Sequence, residues 1–195
     1  MAVAGLVLAA GAGTRYGRPK ILVPGWLDAA LAALAGGGCT RLQVVTGAAR
    51  VLLPAGVGEV RCEQWARGMG ASLRAGLEAL GDGPGWVVVH VVDCPDIGAG
   101  VVERVLARAV DRPARAVYGG RPGHPVVLPR SHVAPLLADL DDTSGAGRYL
   151  AARPDLVRVE CGDLATGLDI DVPDARAVMA AEEAADRENG SCVTS

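Results

Sequence analysis

Residues suited to handling anions and metal ions fall in a few short segments of this 195-residue chain. The first is Leu8–Lys20, where Gly11, Gly13 and Gly17 are interleaved with Arg15, Arg18 and Lys20. Glycines directly after a strand let backbone N–H groups approach an anion without Cβ interference. The neighbouring Arg15 and Lys20 add mobile positive charge. The segment is not a Walker A loop, because Gly17 is followed by Arg-Pro-Lys rather than Lys-Ser or Lys-Thr. It is not a dinucleotide fingerprint either: the spacing is GxGxxxG, and no acid follows Val45-Thr46-Gly47 to hold a ribose. An ordinary tight strand-to-helix turn with solvated arginines fits the same residues.

Asp93 stands at the end of the run Trp86–Val92 and opens Asp93-Cys-Pro-Asp96. A carboxylate there suits Mg²⁺, which takes one or two carboxylates together with phosphate oxygens. Asp96 fits the plainer role of capping the helix beyond Gly98. Asp169 and Asp171 flank Ile170, so in a strand they share one face, where two carboxylates repel unless a cation lies near them. Asp174 reads as a helix-start residue. His124 is fixed between Gly123 and Pro125, where it can position a substrate group or simply hydrogen-bond its own loop. His90, inside a valine-rich strand, reads as a satisfied core histidine, and His132 as a surface one.

The elements that must position these residues follow from the hydrophobic pattern. Strands are expected at Val3–Ala9, Leu42–Thr46, Val57–Arg61, Trp86–Val92, Ala114–Tyr118, Pro125–Leu128, Leu156–Glu160 and Leu168–Val172. Helices are expected at Asp28–Ala35, Leu73–Leu80, Gly100–Val110 and Val133–Leu140, with a brief one at Ala48–Leu53 and a closing one at Pro173–Arg187. Gly119–Gly123 reads as a hinge and Asp141–Gly147 as a loop. Alternation along the whole length implies an α/β three-layer sandwich with a mostly parallel, Rossmann-like sheet. Ligands of such sheets bind at the carboxyl ends of the strands, where Gly11–Lys20, Asp93–Asp96 and Asp169–Asp171 all fall. One domain is expected over residues 1–187, followed by a polar tail at 188–195.

Composition limits the function classes. Half the chain is hydrophobic, so a large core is available, yet there is no Phe and the net charge is −3. A basic face and an aromatic stacking platform are both missing, which argues against nucleic acid as a partner. The five cysteines never form a CxxC pair, so neither a zinc site nor a disulfide framework is indicated. Cys94 reads as a structural filler. The apolar start lacks a positive leader region and no stretch is long enough for a bilayer, so a cytoplasmic protein without a membrane partner is expected.

Taken together, the segments resemble the GT-A-like nucleotidyltransferases (the MobA-like group), most closely the molybdenum cofactor cytidylyltransferase branch. The family's opening loop LAAGxSxRMGxxK stands here as Leu8-Ala-Ala-Gly-Ala-Gly-Thr-Arg15-Tyr-Gly17-Arg-Pro-Lys20. Gly68-Met-Gly-Ala-Ser72-Leu-Arg74-Ala-Gly-Leu77 matches its second segment, Asp93-Cys-Pro95 its metal turn, and Gly123-His-Pro-Val126 its acceptor-side loop. Asp169-Ile-Asp171-Val-Pro-Asp174 resembles its closing motif. Departures are the abbreviated Ile21–Leu27, Glu63-Gln64 before Trp65, Tyr16, and extra residues in Asp142–Arg148.

The resemblance implies a GT-A type fold and transfer of a nucleoside monophosphate from an NTP to a phosphate on a small acceptor. It implies Mg²⁺ on Asp93 and Asp171, with Asp169 as the alternative second ligand. Leu8, Ala9, Ala10, Gly11, Ala12, Gly13 and Thr14 would hold the nucleotide with Arg15 and Lys20. Gly70 and Ser72 would lie near its base or ribose, and His124 and Arg148 on the acceptor side. Arg15, Lys20 and Asp93 carry the catalytic assignment. CTP is favoured over GTP because Leu8-Ala-Ala-Gly11 resembles the cytidylyl-transferring relatives, and molybdopterin is the implied acceptor. The alternatives are a guanylyltransferase of the same fold, with molybdopterin or phospholactate as acceptor, and a non-catalytic nucleotide-binding chaperone for a molybdoenzyme.

Overall fold

A computed structural model describes residues 2–172. Its elements run β1 (Val3–Leu8), α1 (Trp26–Gly36), β2 (Arg41–Thr46), β3 (Val57–Arg61), α2 (Met69–Ala79), β4 (Trp86–Val91), α3 (Ala99–Arg108), β5 (Ala114–Tyr118), β6 (Arg121–Pro129), α4 (Val133–Asp139), α5 (Gly147–Ala151) and β7 (Val157–Glu160). The strands form one seven-stranded sheet in the order β3-β2-β1-β4-β6-β5-β7. All pairs are parallel except those of β6, which runs antiparallel to β4 and β5. The fold is the expected α/β sandwich.

Both faces of the sheet are covered, and β1 shows why. Successive strand residues point to opposite faces. A Cβ on Gly5 would meet Leu34 of α1, whereas Leu6 packs against Gly76 of α2. The two helices therefore lie on opposite faces, close enough that a side chain at either glycine would collide. β1 and β4 are buried on both faces and read as continuous apolar runs, as central parallel strands do.

From β1 the chain winds outward through β2 to β3, then crosses back to place β4 on the other side of β1. The strand order thus reverses between β1 and β4. A crevice opens there at the carboxyl ends of the strands.

Several expected elements differ. Ala48–Leu53 forms no helix: Ala49, Val51 and Leu53 pack against the core while Arg50 and Leu52 are exposed, the alternation of an extended chain rather than of a helix. Leu168–Val172 is not a strand: among the described residues it is tied to the sheet by Ile170 N–H donating to Asp93 C=O at 3.0 Å. The turn after β5 is only Gly119-Gly120, and Arg121–Gly123 already belong to β6. The short α5 was not anticipated. The expected helix Pro173–Arg187, Asp174 and the tail 188–195 lie outside the described residues. No described helix is long and apolar enough to cross a membrane.

Candidate active site at the β1–β4 crevice

The crevice encloses about 400 Å³ and is lined by Leu8–Tyr16, Lys20, Trp65, Ala66, Gly68, Met69, Ser72, Val91–Asp93 and Asp171. Its first wall is the loop after β1. Gly13 adopts φ +61°, and a Cβ there would lie 1.9 Å from the Arg18 carbonyl oxygen. The loop therefore folds back on itself, closed by Gly17 N–H donating to Gly13 C=O at 2.8 Å. Backbone amides 10 to 16 donate to no acceptor among the described residues. A run of free amides facing a crevice is an anion cradle.

Lys20 follows at the start of a 3-10 turn that packs Ile21 into the core. Its Nζ donates to Asp93 Oδ2 at 2.8 Å and to Asp171 Oδ1 at 2.9 Å. Arg15 donates to the other oxygen of Asp171 at 2.9 Å. The Lys20 side chain is only 13% exposed, whereas Arg15 is 79% exposed. The Lys20 contacts are accordingly the ones that fix geometry, while Arg15 contributes little and can swing. Burial opposes the charge of Lys20, but its hydrogen bonds to Asp171 and Asp93 and their negative charges outweigh it and raise its pKa. The same Lys20 hydrogen bond holds the Asp171 carboxyl below its usual range.

Asp93 is delivered by the end of β4. Asp171 arrives from far along the chain, and its approach is built by Asp96. Rather than capping α3, whose N-cap Gly98 has no side-chain cap, Asp96 Oδ2 accepts bonds from Thr166 N–H, Thr166 Oγ1–H and Gly167 N–H. With the Ile170–Asp93 backbone bond, this pins the Thr166–Asp171 segment beside β4. Asp169 is exposed and makes no hydrogen bond or ion pair among the described residues.

Two carboxylate oxygens converging within 2.9 Å of one ammonium define a place for a cation. Among the described residues no group of three or more His, Cys, Asp or Glu could hold a metal alone. The donor set suits an ion that keeps positions for phosphate oxygens, which is the habit of Mg²⁺.

Ser72 lines the crevice from α2. Gly70 does not: its Cα faces the loop after α4, where a Cβ would lie 1.8 Å from Asp141 O. Arg148 is likewise not brought to the carboxylates, because it pairs with Asp139 and Asp141. His124 sits on β6 with its Nδ1 buried and unpartnered, and its backbone carbonyl accepts the Tyr118 hydroxyl at 2.7 Å. Burial and the nearby Arg115 push its pKa below the usual histidine range. Sequence reasoning missed Trp65, Met69 and the packing of Tyr16 on Trp26, whose ring centroids lie 5.3 Å apart. It also passed over the fact that Lys20 is the only lysine in the chain.

Three other titratable groups, Cys94, His132 and His90, are buried. Cys94 is buried, and burial pushes its thiol well above the usual range. His132, expected at the surface, is buried and shares a 2.9 Å hydrogen bond with Tyr149 OH. His90 is buried as expected but not satisfied: neither ring nitrogen has a partner among the described residues, and its ring lies 6.5 Å from that of His124. Burial lowers its pKa to about 3 from 6.5. Above pH 6.5 His90 is neutral in both folded and unfolded chains. Below it the unfolded chain gains a proton that the folded one refuses until about pH 3. Stability should therefore fall with pH across that window, by up to about 1.4 kcal/mol per pH unit for this one residue. The lowered pKa values of His124 and His132 act in the same sense. His90→Leu should flatten the slope of urea midpoints between pH 6.5 and 5; an unaltered slope would remove His90 as its source.

Residues 5–158 match the MobA-like NTP transferase domain. The chain is similar, at 33% identity over 87% of its length and 92% of the relative's, to the nicotine blue oxidoreductase of Paenarthrobacter nicotinovorans. It is also similar to the crystal structure of the Rv0371c homologue from Mycobacterium sp. strain JC1 (TM-score 0.74, 26% identity, covering 92% and 96% of the two chains). Rv0371c of Mycobacterium tuberculosis H37Rv, solved as a complex with manganese, shares the fold at TM-score 0.71 and 22% identity, over 87% and 94% of the chains.

Proposed function

Since the chain belongs to the MobA-like NTP transferase domain family and is by that membership a nucleotidyltransferase, we propose that it transfers CMP from CTP to a phosphate of a small acceptor, releasing pyrophosphate. The observation that carries this reading is the meeting of Asp93, Asp171 and Lys20 beside a loop of free amides at the strand-order switch point. Molybdopterin is the acceptor of choice, Mg²⁺ the metal, and the cytoplasm the location.

Phosphoryl chemistry of this kind asks the protein mainly for alignment and charge stabilisation. The amides of the Ala10–Thr14 stretch hold the triphosphate, and exposed Arg15 turns from Asp171 onto the leaving pyrophosphate. Lys20 donates to the same oxygens. Asp93 and Asp171 would hold Mg²⁺, which neutralises charge on the triphosphate when bound. Ser72, Trp65 and Met69 line the remainder of the crevice, where base and ribose fit. His124 is assigned to the acceptor side. Gly70 serves from behind, seating the Asp141–Ser144 loop on the start of α2. The manganese in Rv0371c supports a divalent ion in this fold.

Thermal midpoints measured with each of the common NTPs plus Mg²⁺ test the proposal. A ligand at a hundred times its Kd adds about 2.7 kcal/mol, which raises the midpoint of a chain this size by roughly 5–10 °C. CTP should give the largest rise. GTP in its place would select the guanylyltransferase reading, and CTP binding without pyrophosphate release would select the chaperone reading. A rise with NAD(P)H but with no NTP would replace the proposal by a redox activity like that named for the Paenarthrobacter relative.

A further inference from the structure

Lys20 is the single lysine among 19 lysines and arginines, and its ammonium occupies the very place where the two proposed metal ligands converge. A compact ammonium with three N–H groups fits between two oxygens as a flat guanidinium does not. Two of those N–H groups are spent on Asp93 Oδ2 and Asp171 Oδ1, at 2.8 and 2.9 Å. The local charge is then balanced, two carboxylates against Lys20 and Arg15. A free divalent cation entering this largely compensated, half-buried place would gain less from the carboxylates and would face a like charge close by.

A triphosphate reverses each term. Its oxygens offer Lys20 new acceptors, draw the ammonium off the carboxylates, and carry a metal whose remaining positions they fill. We propose that Lys20 is a gate that keeps free divalent metal off Asp93 and Asp171 until a triphosphate arrives, so that the metal enters only with the nucleotide. The proposal rests on the metal-dependent reading above. By linkage, whatever Lys20 withholds from the metal in the free protein it returns as coupling between metal and nucleotide.

The test is Mn²⁺ binding without nucleotide, read from the electron paramagnetic resonance of free Mn²⁺. The Lys20→Met protein should bind Mn²⁺ at least about tenfold tighter than the wild type, since its carboxylates keep only Arg15 as counter-charge. Adding Asp93→Ala should abolish that gain. Equal affinities for wild type and Lys20→Met would overturn the gate, as would tight binding by the wild type alone. Water-proton relaxation with Mn²⁺ and CTP together separates the two claims. Enhancement with unequal affinities supports both, enhancement with equal affinities removes only the gate, and no enhancement removes the metal reading and the gate with it. A measurement on the unmutated protein guards against a misfolded variant: ¹³C-lysine labelling yields a single Lys20 Cε resonance. It should move with Mg²⁺ plus CTP but not with Mg²⁺ alone, and an equal shift with Mg²⁺ alone would overturn the gate.

Discussion

Asp93→Ala is expected to lower pyrophosphate release by at least about a thousandfold while leaving the protein folded. Asp93 lies at the end of β4, one of the two central strands, and its carboxylate is one of the two that converge on Lys20. Its loss would leave Asp171, pinned only through the Thr166–Ile170 segment, to hold the metal alone. The structural cost is limited, because Lys20 keeps its 2.9 Å bond to Asp171 and the backbone bond from Ile170 to position 93 does not depend on the side chain. A coupled pyrophosphate assay beside a thermal melt measures both effects. A variant that melts normally and releases pyrophosphate at near wild-type rate would remove Asp93 from the site.

Gly13→Ala should weaken CTP binding at least tenfold and lower the thermal midpoint by several degrees, the cost of its strain in the folded chain. The expectation rests on two strained features at one residue: a φ of +61° and a Cβ that would sit 1.9 Å from the Arg18 carbonyl oxygen. The obstacle is backbone, so it cannot rotate away, and a strained conformation of this kind costs of order 1–3 kcal/mol. The loop must open, and the amides lose their common focus. Gly11 is the contrast, since a Cβ there meets nothing within 4 Å. Gly11→Ala should fold unchanged, so any loss of affinity it shows reports directly on the space the phosphates need. Calorimetric titration with CTP and Mg²⁺ distinguishes the two. Unchanged affinity for Gly13→Ala would mean the loop is not the cradle.

The central elements were legible because their signals are local. Trp86–Val91 is a nearly unbroken apolar run, and Val57–Arg61 is bounded by Gly56 on one side, so period and length sufficed. The short pieces were not. Ala48–Leu53 has helix-compatible residues but packs every second one, Ala49, Val51 and Leu53, against the core, and Leu168–Val172 has strand-like alternation but forms no ladder. The α5 turn, five residues long, carries too little periodicity to be recognised. His132 could not be placed because its burial depends on Tyr149, across a loop from it.

Of the site, the loop and Asp93 were visible in residue type and position alone. Asp171 was visible as an acid, but what holds it was not. Its place comes from a long-range anchor, Asp96 on the Thr166-Gly167 turn, and from Lys20, 151 positions earlier in the chain. Contacts of that separation leave no period in the sequence. Lys20 did leave a trace, because every other basic residue of the chain is arginine.

The measurement that bears most directly on the account is the anomalous scattering of Mn²⁺ in crystals grown with Mn²⁺ and CTP. The account predicts one peak within coordination distance, roughly 2.0–2.2 Å, of an oxygen of Asp93 and an oxygen of Asp171, with triphosphate density against amides 10 to 16 and Lys20 turned toward it. A triphosphate bound elsewhere, or a metal peak away from both carboxylates, would contradict it.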